Sequence, residues 1–170
     1  VEYVVCDVTK SKDIQNLIGS VKKTFGKIDI WINNAGINQP EKPIWELSED
    51  EINMVLNVDL KGAVIASKLV VNDMIASGSG ALYNIEGYGS NDAMMTGLSI
   101  YGTSKRAITY FTQALAKECD DKNTNVIVGR LSPGIMITDF ITNSLGDKGK
   151  INLSEKTKKD ARCVFLDLRP

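Results

Sequence analysis

Apolar residues recur along this chain with two alternating periods. Val1-Glu2-Tyr3-Val4-Val5-Cys6 is β-branched and aromatic, which predicts a strand, and Asp7-Val8-Thr9-Lys10-Ser11 reads as a strand end leading into a helix cap. Ile14, Leu17, Ile18, Val21 and Phe25 return at helical spacing up to Gly26, and Ile28-Asp29-Ile30-Trp31-Ile32 is an apolar run of strand length. Ser48 and Glu51 form the S-x-x-E pattern of a capping box, opening a periodic apolar segment that extends to Met74 before Gly78-Ser79-Gly80 closes it. A strand over Ala81 to Ile85, a glycine-containing loop to Ser99, a helix over Tyr101 to Lys117 and a strand at Val126-Ile127-Val128 follow. Strand and helix alternate throughout, so the pattern predicts a single α/β domain with a doubly wound parallel sheet. From Gly146 to Lys159 the chain is polar and lysine-rich, the composition of a solvated loop or helix face, and 146–170 reads as a poorly defined tail.

Charge and composition narrow the chemistry. Twenty basic and 21 acidic residues leave a net charge of -1 with no basic stripe, so nothing provides the footprint that nucleic acid or an anionic membrane surface requires. No apolar run approaches the roughly 20 residues of a membrane span. The 3 cysteines, Cys6, Cys119 and Cys163, are odd in number and far apart, which fits a reducing compartment and points to the cytoplasm. There is no histidine, which removes imidazole bases, the usual serine triads and most zinc sites; no metal site is expected. Proton transfer must then use Tyr, Lys, Ser or a carboxylate.

Tyr101-Gly102-Thr103-Ser104-Lys105 places a phenol and an ammonium at i and i+4, one above the other on a helix. A phenol titrates near 10 and is a poor base at neutral pH, but a neighbouring cation favours its phenolate. Alone, Y-x-x-x-K also describes a Tyr packed by its ring with a Lys in solvent. Here Asn33-Asn34-Ala35-Gly36 follows one predicted strand, and Ser132-Pro133-Gly134 follows another. Both, like the start of the Tyr101 helix, fall at strand C-terminal ends, the edge where open α/β sheets bind ligands. Asn33 has an open alternative as a side-chain tie between strands, and Pro133-Gly134 as a simple turn.

With Asp7-Val8 ending the first strand, these motifs resemble the short-chain dehydrogenase/reductase family over nearly all of residues 1 to 145. The resemblance implies a Rossmann-type fold and an oxidoreductase moving hydride between NAD(P)H, with NADP favoured, and a small carbonyl or alcohol substrate, in a homo-oligomer. It assigns Tyr101 as acid/base and Lys105 as the group that holds the ribose hydroxyls and lowers the tyrosine pKa. It places Asp7 and Val8 beside the adenine, Asn34, Ala35 and Gly36 beside the adenosine ribose, and Pro133, Gly134, Ile135 and Thr138 along the nicotinamide.

Two positions depart from the family pattern. Glu86-Gly87 stand where a serine pair is common, so Ser90 is the expected oxyanion donor, and Asp59 matches an asparagine whose backbone carbonyl would hold a water in a proton relay. The stretches N-I-E-G-Y-G-S, I-D-I-W-I-N-N-A-G and L-S-P-G-I-M-I-T resemble the branch containing the chlorophyll b reductases, for which a plastid would replace the cytoplasm. The loop T-G-x-x-x-G-x-G is absent, so the first two strands of the fold are expected to be lacking, and residues selecting NAD or NADP with them. A non-enzymatic dinucleotide sensor or scaffold, or an inactive truncated product, remain the alternatives. In a strand order 3-2-1-4-5-6, Val1 to Cys6 should either stand apart from Ile28 to Ile32 across an open slot or shift sideways to pair with it.

Overall fold

The computed structural model describes residues 3–133 and the backbone of 165–167. Helix α1, Ser11–Phe25, buries Ile14 and Ile18 one turn apart and ends at Gly26. Its entry is ordered by the preceding turn, where the Asp7 carboxylate accepts from the amide and hydroxyl of Thr9 and the Asp7 amide donates to Asp13.

Strands β1 (Ile30–Asn33), β2 (Gly80–Ile85) and β3 (Val126–Ser132) form a parallel sheet, with Ile30 opposite Ala81 and Ala81 opposite Ile127. A short strand β4, Phe165–Asp167, adds antiparallel to β3, so the sheet is parallel in its main body and mixed at one edge. The sequence predicts another strand at Val1 to Cys6, but among the described residues no strand includes Tyr3 to Cys6 and β1 is paired on one edge only, with β2. The shifted pairing is therefore corrected. Tyr3 and Val5 are almost fully exposed, while Val4, 40% exposed, lies beside Leu17, Val21 and Phe25 of α1, which gives this apolar segment partial cover.

The capping box forms as expected: Glu51 N–H donates to Ser48 Oγ at 3.2 Å and the Ser48 amide donates to Glu51 Oε2 at 2.8 Å. The helix it opens is not uniform. Helix α2, Glu49–Val55, passes into a π-helical segment, Leu56–Gly62, and then into α3, Ala63–Ser77, without leaving helical backbone angles. A π segment widens the turn by one residue, and such bulges concentrate at functional sites. Here it carries Asp59 inward and brings Gly62 against Val8.

Helix α4, Ser99–Asp121, packs with α3 on the same side of the sheet. Side chains alternate along a strand, so Trp31, Leu82, Val126 and Val128 face these helices and join Val70, Met74 and Cys119 in the core. The opposite face shows Ile30, 64% exposed, and Ile127, 59% exposed, with Ala81 between them. Among the described residues helices thus cover one face, and a second helical layer is not among them. Asn33 donates to Asn84 (2.8 Å) and Ser67 (2.9 Å), and Asn84 donates to Thr112 (2.9 Å). This polar line ties β1, β2, α3 and α4 together, so Asn33 does act as the tie between strands.

Candidate active site

Because β1, β2 and β3 run parallel and in register, the segments after them emerge along one rim. Helix α4 opens on the same rim with Tyr101 in its first turn. Tyr101 and Lys105 share a face: the ammonium nitrogen lies 5.5 Å from the phenol ring centroid, and both residues are buried. The expected i, i+4 juxtaposition is present.

The first turn of α4 has no local side-chain cap. Gln39, from the segment after Asn34-Ala35-Gly36, supplies one: its Oε1 accepts from the amides of Ile100 (2.7 Å) and Tyr101 (3.0 Å). Two otherwise orphaned amides are satisfied at once. Gln39 was not among the residues read from sequence, since its partners lie far along the chain and no local cap motif reports them. Gln39→Leu should remove this cap, costing about 0.5–2 kcal/mol. Its signature is a lowered melting temperature, because the amides released belong to the first turn of α4. An unchanged melting temperature would show that water replaces the cap fully.

The loop after β2 is fitted to Tyr101. A Cβ on Gly87 would collide with the Tyr101 hydroxyl and stand 3.1 Å from Lys105 Cε, so this glycine is what leaves room for the phenol. Gly89, at φ +99°, brings the loop backbone against Gly102, where a Cβ would be 2.7 Å from its Cα. Ser90 braces the turn: its Oγ accepts from the Gly87 amide at 3.1 Å and points its proton at the Lys105 carbonyl, 3.5 Å away. Its hydroxyl is thus engaged within the protein, a placement the oxyanion-donor expectation did not include. Glu86 is held by Arg130 Nη1 (2.7 Å) and Thr109 Oγ1 (3.3 Å), linking β2, β3 and α4.

Asp59 completes the cluster. Its Oδ1 accepts from the Ile37 amide at 2.8 Å and its Oδ2 lies 3.7 Å from Lys105 Nζ. The side chain, where the sequence pointed to the backbone carbonyl, is what reaches the site. Burial pushes the Asp59 carboxyl up, opposed by the Ile37 amide and Lys105, and burial pulls the Lys105 ammonium down, opposed by Asp59. Tyr101 is pushed up to about 12, first by burial and then by the Asp59 charge, so the lowering expected from Lys105 alone is not what this site gives.

Asn34, Ala35 and Gly36 form an exposed loop over this cluster, and the position of a Cβ on Gly36 is 3.5 Å from Lys105 Nζ and 3.6 Å from Asp59 Oδ2. Val8 stands against Gly62 at the end of the π segment. Asp7 is drawn down to about 2 by the Thr9 hydroxyl and amide, then by Lys10. Pro133 follows β3 on the same rim, while Gly134, Ile135 and Thr138 lie outside the described residues. The Lys105 ammonium has three N–H donors and, among the described residues, pairs with Asp59 at 3.7 Å, so it has donors to spare for hydroxyl groups of a ligand. An ammonium and a carboxylate side by side, under an open glycine loop, suit the vicinal diol of a ribose.

A parallel α/β sheet with its loops, a buried Tyr-Lys pair and a ribose-compatible donor set on one rim defines a protein of the dinucleotide-binding class. The family model for short chain dehydrogenase matches residues 1–148. Chlorophyll(ide) b reductase NOL of Arabidopsis thaliana, a chloroplastic protein, is 34% identical over 146 residues, covering 84% of this chain and 42% of that protein. Carbonyl reductase family member 4 of Xenopus tropicalis is 35% identical over 135 residues, covering 79% of this chain and 56% of the relative. A crystal structure of a short-chain dehydrogenase/reductase from Burkholderia xenovorans superposes with a TM-score of 0.76 at 26% identity, over 91% of this chain and 57% of that one. The chain belongs to the short-chain dehydrogenase/reductase family, near the branch of the chlorophyll(ide) b reductases, and spans about half the length of these relatives.

Proposed function

We propose that this chain carries the proton-transfer centre of a nicotinamide-dependent carbonyl reductase. The observation that carries the reading is the buried Tyr101–Lys105 pair on one helical face, with Gly87 keeping space open at the phenol oxygen. Tyr101 gives its proton to the substrate oxygen. Lys105 orients Tyr101 from above its ring and offers its remaining donors to the ribose hydroxyls. Asn34, Ala35 and Gly36 form the wall beside the adenosine ribose, Asp7 and Val8 the end nearer the adenine, and Pro133 with Gly134, Ile135 and Thr138 the nicotinamide side. NAD(P)H, when bound, would supply the hydride, with NADPH the form the sequence resemblance favours. Ser90 holds the Gly87 turn in place and is the nearest hydroxyl available to polarise the carbonyl once its proton leaves Lys105 O.

The relatives suggest the substrate class. Both relatives are named as reductases, one of chlorophyll(ide) b and one of a carbonyl, so a carbonyl compound is the substrate class we favour, with chlorophyll(ide) b among the candidates. Chloroplastic relatives make a plastid the alternative to the cytoplasm. A dinucleotide-binding scaffold without turnover is the second reading, favoured by the absence of a side chain at Gly87 and the engaged hydroxyl of Ser90. The test is consumption of NADPH and NADH by the full chain with chlorophyllide b, aromatic aldehydes and aliphatic ketones. Turnover on at least one supports the reductase; none, with NADPH bound, supports the scaffold.

A further inference from the structure

Among the described residues the Lys105 ammonium lies nearer to the Asp59 carboxylate than to the Tyr101 ring. Its nitrogen lies 3.7 Å from Asp59 Oδ2 and 5.5 Å from the centre of the Tyr101 ring. The Asp59 side chain is fully buried and that of Lys105 is 9% exposed, so solvent and salt screen the pair little. Burial disfavours both charges. Whether the proton resides on Lys105 or is shared with Asp59, the pair presents no net charge to the phenol. A lysine alone would present a full positive charge there and would favour phenolate.

We infer that Asp59 is a positioning residue that decides the working direction of the site: by neutralising Lys105 it keeps Tyr101 protonated, as a donor for carbonyl reduction rather than an acceptor for alcohol oxidation. In reduction the phenol O–H bond breaks as the substrate oxygen takes the proton, the carbonyl carbon gains hydride from the reduced nicotinamide of the proposed reaction, and the phenolate regains a proton from solvent. Oxidation needs the phenolate beforehand. The overall equilibrium is fixed by the reactants; Asp59 changes the pH range over which each direction runs.

Three other carboxylates near the site carry their own partners. Glu86 is paired with Arg130 at 2.7 Å, Asp92 with Arg106 at 3.1 Å, and Glu51 with Lys42 at 3.0 Å. Glu41 lies against Gly97 ahead of α4, and Tyr88 donates to the Met94 carbonyl. The upward displacement of Tyr101, to which Asp59 contributes after burial, agrees with this arrangement.

The electrostatic part is independent of turnover, although the directional part rests on the proposed reaction. The test is ultraviolet titration of tyrosinate in the full chain, with the Tyr101 component isolated by subtracting the Tyr101→Phe protein in each background. Asp59→Asn preserves volume and keeps an acceptor for the Ile37 amide, so the fold should survive; Asp59→Ala serves as a second removal of charge. Both should lower the Tyr101 midpoint by about one pH unit or more, a tenfold gain in acidity. The alkaline limb of reduction should move down with it, and alcohol oxidation at neutral pH should rise about tenfold. A Tyr101 midpoint unchanged or raised in both variants overturns the inference. A lowered midpoint in a chain without nicotinamide-linked turnover would defeat the reductase reading and leave the electrostatic role standing, whereas turnover with an unchanged midpoint would do the reverse.

Discussion

Replacing Tyr101 with phenylalanine is expected to lower kcat about 10²- to 10⁴-fold, the usual contribution of a positioned general acid. The ring stays in its buried place under Lys105, so the fold and the affinity for NADPH should hold within about twofold. The pH profile adds a second readout. With the phenol pushed up to about 12, the wild-type site stays protonated through the neutral range, and reduction should lose activity only as pH rises towards that value. The variant should lose this limb altogether. Paired measurements of kcat and NADPH affinity from neutral pH up to about 12 would check both points. Activity within about twofold of wild type would mean that another group delivers the proton.

Gly87→Ala should have the next largest effect, for a purely steric reason. No left-handed backbone angle is needed at Gly87, so alanine is allowed locally; the added methyl instead collides with the Tyr101 hydroxyl. Either the phenol or the end of β2 must move by a few tenths of an ångström to a full ångström, and displacement on the order of 1 Å can cost about 10²-fold in rate. Overpacking should also cost about 1–3 kcal/mol of stability. Kinetics with a melting curve would separate these effects. Alanine at Gly36, where a Cβ meets nothing closer than 3.5 Å, supplies the contrast: stability there should be unchanged.

Most of the main elements were legible because their causes are local. Ile14 and Ile18 repeat at one helical turn, Ser48 and Glu51 are three residues apart, and the apolar run around Trp31 is short and bounded, so each announces itself within a few positions. The Tyr101–Lys105 pair is local in the same sense. What escaped depends on contacts across the chain. Val4 and Val5 have strand composition, but a strand requires a neighbour, and Tyr3 to Cys6 joins no ladder. The π segment escaped because one extra residue in a turn barely disturbs helical periodicity over Leu56–Gly62. The Gln39 cap, the contact of the Ser90 hydroxyl with the Lys105 carbonyl and the reach of the Asp59 carboxylate to Lys105 all join segments remote in sequence, and no spacing rule reports such encounters.

The most direct test of the account is isotope transfer. The full chain is incubated with chlorophyllide b or an accepted aromatic aldehyde and NADPH bearing deuterium at the transferable position, and the product is read by mass spectrometry alongside the Tyr101→Phe variant. One deuterium on the new carbinol carbon in the wild-type product, with formation slowed about 10²-fold or more in the variant, is the expected result. Product without deuterium, or deuterated product formed equally fast by both proteins, would contradict it.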